Sequence, residues 1–550
     1  MKSGAEILLL CLKEQGVDTI FGYPGGSVIP LYDALYNYRD QFHHVLTCHE
    51  QGATHAADGY ARASGKVGVC FATSGPGATN TVTGIATAYM DSIPMVVITG
   101  QVASSLLGRD SFQEVDITAI TLPITKHNYM VKKIEKLPEI IKEAFEIASS
   151  GRPGPVLIDI PKDVFMSSMD YVEKRRMEKN EVIDDILPTG MEEAAEIINE
   201  AKRPVIYGGG GVILSEASEE LLKLSERGTI PVVNTLMGLG NFPRNHPLSL
   251  GMVGMHGFPE ANLAVTHSDL VIAIGARFSD RVIGAVDEFA PRAKVIHIDV
   301  DKGEIGKNKE VHLSLVGDMK KILAALIEQL DTNPREEWIK EIEQWKGPKD
   351  YRCATLTAKD VITTASRIAG PDAIVTTEVG QHQMWTAQLW EFQKPRTFLS
   401  SGGLGTMGFG LGAAIGAQTA CPDKRVIHMA GDGSFRMNCN ELATVSRYNL
   451  PIITILFHNG SLGMVRQWQK LFCEERYSET DLLGQVDYMK LVESYGIKGI
   501  KVEDINSFEK ALDEALKDRK PTLIECMISK DEHVYPIVPP GKPIHQYIEE

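Results

Sequence analysis

No apolar run in the 550 residues approaches the ~20 residues of a membrane span. Basic residues are also scarce: 56 Lys and Arg stand against 72 Asp and Glu, a net charge of −16. That balance excludes the basic surface that a nucleic-acid or anionic-membrane binder needs. It does not exclude an anionic ligand held by a local basic pocket or a bound cation. The eight cysteines form no CxxC pair, and several lie in apolar runs, so buried thiols in a reducing compartment are expected rather than zinc or disulfides. The N-terminal apolar run, Ile7 to Leu12, is short and runs into Lys13 and Glu14, unlike a signal peptide, so a cytoplasmic protein is expected. With 43% apolar and 23% charged residues the composition is globular. What is abundant is glycine, 50 residues, which points to tight turns and close approaches of backbone to ligand.

Short apolar runs alternate with helix-like stretches along the whole chain. Val67–Ala72, Met95–Thr99, Val156–Ile160, Val205–Tyr207 and Leu270–Ile274 read as buried strands. Val295–Val300, Ile374–Thr376, Val426–Met429, Ile452–Phe457 and Thr522–Cys526 continue the series. Continuous apolar strands between helices imply parallel sheets covered on both faces, so the class is α/β with doubly wound units. Charge-rich Tyr171–Pro188 and Asp331–Asp350 read as linkers or charged helices. They divide the chain into domains 1–170, 188–330 and 355–550. The first and third share a pattern. Gly75-Pro76-Gly77, Ile85-Ala86-Thr87, Ile93-Pro94 and a strand match Gly431-Asp432-Gly433, Leu442-Ala443-Thr444, Leu450-Pro451 and a strand. Duplication is expected, with a ligand held by two related folds.

The strand Val426–Met429 runs into Ala430-Gly431-Asp432-Gly433-Ser434-Phe435, and the next strand into His458-Asn459-Gly460-Ser461. Glycines at a strand end let backbone N–H groups approach a phosphate, and a carboxylate beside an amide oxygen suits Mg²⁺. In the first domain, His49-Glu50-Gln51-Gly52-Ala53 places a carboxylate before a helix-like stretch.

The GDG-to-Asn spacing resembles the motif of thiamine diphosphate enzymes. Further stretches sharpen the resemblance to the large catalytic subunit of acetohydroxyacid synthase (acetolactate synthase), over nearly the whole chain. They are Tyr23-Pro24-Gly25-Gly26, Phe112–Asp116, Val379–Trp385, Ser401–Gly408, Gly463–Gln469 and Val534–Pro539. The resemblance implies two related domains that bind the pyrimidine and the diphosphate of thiamine diphosphate, flanking a central nucleotide-binding one. It implies that Asp432, Asn459 and the Ser461 carbonyl hold Mg²⁺. Gln381 and His382 hold the diphosphate, with Gly433 and Ser434 beside them. Gly405 accepts from the aminopyrimidine, Met407 props the bent cofactor and Met464 adds to an apolar wall. Glu50 gives the activating hydrogen bond to the pyrimidine. Gly26, Gln113 and Lys162 lie around the reacting centre, Arg281 meets the second substrate's carboxylate, and Trp468 favours 2-oxobutanoate as acceptor. The sequence departs from the family at His458, usually Asn, and at Gly412, commonly Pro.

On its own residues the middle domain reads as a nucleotide binder, with Gly208–Gly211, Gly275-Ala276-Arg277 and Asp299 at strand ends. The resemblance implies FAD on Arg152, Gly209, Gly210, Thr235, Met255 and His256, and on Gly275, Arg277, Arg281, Asp299 and Asp318, with Ser279 where the family usually has Asp. The implied reaction decarboxylates pyruvate and transfers the two-carbon unit to pyruvate or 2-oxobutanoate, in valine, leucine and isoleucine biosynthesis. Because the family builds each site from two subunits, a homodimer is the minimum, or a dimer of dimers. A small regulatory subunit is a further implied partner. A flavin-dependent pyruvate oxidase, a flavin-free catabolic acetolactate synthase and a non-catalytic nucleotide-binding regulator are the alternatives.

Overall fold

The computed structural model describes residues 1–173, 187–347, 356–482 and 486–549. Three six-stranded parallel sheets carry the fold. The first contains β1 (Thr19–Gly22), β2 (His43–Leu46), β3 (Gly68–Ala72), β4 (Met95–Gln101), β5 (His127–Met130) and β6 (Pro155–Pro161). The second contains β7 (Pro204–Gly208), β8 (Val232–Asn234), β9 (Ser249–Met252), β10 (Leu270–Ile274), β11 (Lys294–Asp299) and β12 (Leu313–Val316). The third contains β13 (Ile374–Thr377), β14 (Phe398–Leu399), β15 (Val426–Gly431), β16 (Ile453–His458), β17 (Lys498–Val502) and β18 (Thr522–Met527).

The order of the first sheet is β2-β1-β3-β4-β6-β5 and that of the third β14-β13-β15-β16-β18-β17, the same arrangement used twice. The second runs β9-β8-β7-β10-β11-β12, the dinucleotide-binding order. In each, the chain leaves its first strand toward one side and later crosses to the other. A crevice therefore opens at the carboxyl ends where the order reverses: β1/β3, β7/β10 and β13/β15. The central strands are apolar throughout because helices cover both faces, and β3, β4, β6, β7 and β10 are buried along their full length.

The first and third units pack through the helices Glu50–Ser64 and Phe409–Ala420. The packing uses bare backbone. A Cβ on Gly416 would strike the Ala56 carbonyl, and one on Gly412 would lie 2.7 Å from His55 Cβ. The departure at Gly412 thus lies in this helix contact. In the stretch that reads as the second linker, Glu336–Trp345 is a helix. Its Trp338 is buried and donates from Nε1 to the Pro204 carbonyl, so the segment packs on the middle sheet rather than spanning open solvent. Most of the first linker lies outside the described residues, as do 348–350. Among the described residues, no helix is long and apolar enough to cross a membrane.

Candidate active site

Three groups of residues gather at the three crevices. In the first unit, Glu50 opens the helix Glu50–Ser64 and is 9% exposed, so it is not the solvated charge that a helix N-terminus usually carries. Asn80 Nδ2 donates to its Oε2 at 3.0 Å. Its Oε1 faces Gly77, where a Cβ would sit 3.1 Å away and 2.6 Å from Thr73 Cγ2. Thr73 in turn meets the Gly25-Gly26 turn through Ser27, whose hydroxyl lies 2.9 Å from the Thr73 hydroxyl. Gln113, held at φ 60°, backs onto Gly75, where a Cβ would come within 2.9 Å of its Cα. Lys162 opens a short helix after β6 that packs on the Gly26–Val28 turn. Glu50, Gly26, Gln113 and Lys162 thus belong to one end of the first sheet.

In the third unit, Asp432 follows β15 and Asn459 follows β16. The Gly460 N–H donates to Asp432 Oδ2 at 2.8 Å, drawing the two loops together, and Ser461 N–H donates to Asn459 Oδ1 at 3.0 Å. Burial pushes the Asp432 carboxyl above the usual range, against the Gly460 and Gly433 N–H bonds and the His458 ring that favour its charge. A cation would relieve that cost. Among the described residues no three His, Cys, Asp or Glu side chains group as a metal site. Mg²⁺ here would draw on Asp432, an amide, a carbonyl and phosphate oxygens, a set that suits it. His458 does not point away from this arrangement: its Nδ1 lies 2.6 Å from Glu525 Oε1 and its Nε2 3.8 Å from Asp432 Oδ2.

Above these loops sit two buried polar atoms without partners, His382 Nε2 and Gln381 Oε1. Burial lowers the His382 ring to about 4, so it is neutral at physiological pH and has one N–H to give. Gln381 Nε2 already donates to Gln467 Oε1 and the Glu532 carbonyl, so a diphosphate contact from Gln381 requires the opposite amide assignment. An unpartnered buried imidazole nitrogen beside a glycine-lined loop fits a diphosphate.

A cavity of about 1910 Å³ joins this region to the middle unit. That is larger than the ~300–1,000 Å³ of a single small-molecule site, so it has room for a dinucleotide and more. Gly405, Met464, Trp468 and Arg281 line its third-unit end, where the Arg281 guanidinium lies 5.8 Å from the Trp468 ring. The rest of its wall includes Arg152, Gly210, Thr235, Met255 and His256, together with Gly275, Arg277, Asp299 and Asp318. Gly209 lies behind that wall: a Cβ there would strike the Gly275 carbonyl, and one on Gly211 would lie 2.7 Å from Gly275 Cα. This bare-backbone cradle at the β7/β10 crevice fits a pyrophosphate. Asp299 closes β11, and burial raises its carboxyl to about 6 despite the Asp301 N–H bond. Ser279 precedes the helix Asp280–Ile283 and makes no side-chain cap to it. Met407, Gln381, His382, Gly433 and Ser434 sit beside the cavity without lining it. Glu50, Gly26, Gln113 and Lys162 do not line it either.

Sequence patterns do not reveal the groups that hold these loops. Asp91 accepts from the Gly402 and Gly403 N–H groups at 3.1 and 2.7 Å, and Arg62 binds Asp91, Asp58 and the Ser400 carbonyl. Glu441 accepts from the Cys48 and His49 N–H groups at 3.0 Å, fixing the turn before Glu50. Glu378 binds Ser434. The one signal available is a charged residue that closes an apolar segment, as Glu378 follows Ile374–Thr377 and Asp91 ends Val82–Asp91.

The chain matches three family models: the thiamine pyrophosphate enzyme N-terminal TPP binding domain over residues 2–120, the central domain over 191–326, and the C-terminal TPP binding domain over 378–526. It is 50% identical to the acetolactate synthase large subunit of Parasynechococcus marenigrum, covering 98% of this chain and 90% of that one. It is 49% identical to the large subunit of Corynebacterium glutamicum, over 98% and 89% of the two chains. It is 46% identical to the isozyme 2 large subunit of Escherichia coli K12, over the full length of both. The chain therefore belongs to the acetolactate synthase large-subunit family of thiamine pyrophosphate enzymes.

Proposed function

We propose that this chain is the catalytic subunit of an acetolactate synthase. It removes carbon dioxide from pyruvate and joins the remaining two-carbon unit to a second pyruvate or to 2-oxobutanoate, giving 2-acetolactate or 2-aceto-2-hydroxybutanoate. The observation that carries this reading is the Arg281–Trp468 pair on the same cavity wall as Gly405 and Met464. A cation over an indole, beside an apolar wall, suits a short 2-oxoacid: the guanidinium meets the carboxylate and the ring meets the alkyl group.

Thiamine diphosphate, when bound, supplies the electron sink that lets a 2-oxoacid lose carbon dioxide. His382 and the backbone N–H groups of Gly433 and Ser434 would hold its diphosphate with Gln381 beside them, and Asp432, Asn459 and the Ser461 carbonyl would hold Mg²⁺. Gly405 accepts from its aminopyrimidine and Met407 supports its bend. Glu50 holds a proton at Oε1, the oxygen that Asn80 leaves open, and donates it to the pyrimidine ring. Met464, Met407 and Trp468 exclude water, which protects the transferred unit from protonation to acetaldehyde. Arg152, Thr235, Met255, His256, Asp299 and Asp318 hold FAD with the Gly209–Gly275 cradle, and FAD undergoes no net redox change in the reaction.

Glu50 stands in the first unit and Asp432 in the third, two units of one strand order, which supports a homodimer in which Glu50 of one copy serves Asp432 of the other. The relatives' designation as large subunits supports a small regulatory partner. We assign the enzyme to the cytoplasm. Product analysis tests the reading, with pyruvate and 2-oxobutanoate, thiamine diphosphate and Mg²⁺, with and without FAD. Both condensation products are expected. Acetate formed with bleaching of the flavin and no acetolactate overturns it in favour of an oxidase.

A further inference from the structure

Glu378 is a carboxylate with no exposed surface at all, placed one residue past β13 at the β13/β15 crevice. Ser434 Oγ donates to its Oε2 at 2.7 Å, and the Gly408 N–H donates to the same oxygen at 2.7 Å. The Leu411 N–H donates to Oε1 at 3.2 Å, and His428 Nε2 lies 3.4 Å from Oε1. The Gly408 N–H also reaches Ser434 Oγ at 3.1 Å, which closes the contacts into a ring. Burial opposes ionisation of this carboxyl, but His428, Ser434 and His382 together hold it below the usual range. The hydroxyl and the two N–H groups that donate to it belong to a cofactor loop or to the helix that follows one, and His428 lies on β15. Ser434 lies two residues from Asp432, and Gly408 follows Met407. The hydroxyl proton of Ser434 is committed to Glu378, so the orientation of that side chain is set from below, by the protein.

We propose that Glu378 is a positioning residue that locks the Asp432–Ser434 loop and the Met407–Gly408 turn to each other, so that the diphosphate end and the bend of thiamine diphosphate are held at a fixed separation. A carboxylate does this where an amide cannot, because all its near neighbours are donors: two backbone N–H groups and a hydroxyl. Replacing one oxygen by NH₂ sets donor against donor. The inference rests on the reading of these loops as the thiamine diphosphate site.

The test measures thiamine diphosphate affinity in the presence of Mg²⁺, by fluorescence titration of the FAD-loaded protein, for wild type, Glu378→Gln, Glu378→Asp, Ser434→Ala and the Gln/Ala double variant. Glu378→Gln is expected to weaken thiamine diphosphate at least tenfold while FAD content and the KM for pyruvate change less than twofold. Ser434→Ala is expected to weaken binding in wild type and to add little on Glu378→Gln, because the two share one link. Glu378→Asp keeps the charge but falls one methylene short, and an intermediate loss is expected. If Glu378→Gln does not fold, Glu378→Asp decides. An unchanged affinity in a folded Gln or Asp variant overturns the proposal, as does strict additivity of the Gln and Ala changes. A parallel loss of FAD content would mean a general structural role and would also overturn it. Failure of wild type to bind thiamine diphosphate would instead reject the underlying reading of the site.

Discussion

The first and third sheets have the same strand order, yet their crevices hold opposite chemistry. After β13 and β15 the third unit carries Glu378 and Asp432, two buried carboxylates that accept from loop N–H groups. After β1 and β3 the first unit carries Tyr23-Pro24-Gly25-Gly26 and Thr73-Ser74-Gly75-Pro76-Gly77, which hold no carboxylate. Its charge comes instead from Glu50, past the outer strand β2, which accepts from Asn80. One scaffold thus supplies an end with two buried carboxylates tied to neighbouring loops and an end with one buried carboxylate beside glycine-rich turns. The difference lies wholly in the residues past the strands, where backbone geometry is free to change without disturbing the core.

Breaking each end is expected to fail in a different way. Glu50→Gln removes the transferable proton while leaving an amide N–H that can still donate to the pyrimidine, so kcat is expected to fall at least ~100-fold, in the range of general acid–base catalysis. Thermal unfolding and thiamine diphosphate affinity are expected to stay near wild type. Near-normal turnover would refute the role. Asp432→Ala is expected to weaken Mg²⁺ and thiamine diphosphate together and to leave FAD content alone, as measured by equilibrium dialysis. Unchanged cofactor affinity would count against it. Asp91→Ala takes one of two carboxylates from Arg62 and strands the Gly402 and Gly403 N–H groups, and a loss of roughly 3 kcal/mol, the lower end for a broken buried pair, is expected in denaturant unfolding. Trp468→Leu is a smaller change: a several-fold fall in preference for 2-oxobutanoate when both acceptors compete, read from the product ratio.

Proton linkage sharpens the same comparison. Burial depresses the His382 ring to about 4. A histidine whose folded value lies below its unfolded value of ~6.5 favours the fold above that pH, and the contribution is lost as pH falls toward 4. The diphosphate site is therefore expected to keep one protonation state of His382 from pH 5 to 8. Asp299 is the reverse case, with its carboxyl raised to about 6 by burial. It is ionised above that value and neutral below it, so FAD retention is expected to weaken as pH drops from 7 to 5. Flavin release that shows no change across that window would remove Asp299 from the FAD contacts.

Most of the inner strands of all three sheets are legible in the sequence because burial on both faces demands apolar runs, as in Val205–Tyr207 and Leu270–Ile274. The outermost strands β2, β5, β9, β12, β14 and β17 are not. An edge strand is short or half solvated, as Lys498–Val502 and His127–Met130 are, and its residues carry no such demand. The site divides the same way. The GDG-to-Asn spacing is a local pattern and reads directly. The Asp91 bonds to Gly402 and Gly403 and the Glu441 bonds to Cys48 and His49 join residues more than 300 positions apart, and only the folded packing of the first unit on the third brings them together.

The proposed site is built from Glu50 of one copy and Asp432 of another. Mixing inactive Glu50→Gln chains with inactive Asp432→Ala chains tests this most directly. In a mixed dimer one site carries both changes and the other neither, so activity is expected to return to about a quarter of wild type in an equal mixture that exchanges freely. Mixed dimers that form, yet stay as inactive as their parents, would contradict the claim.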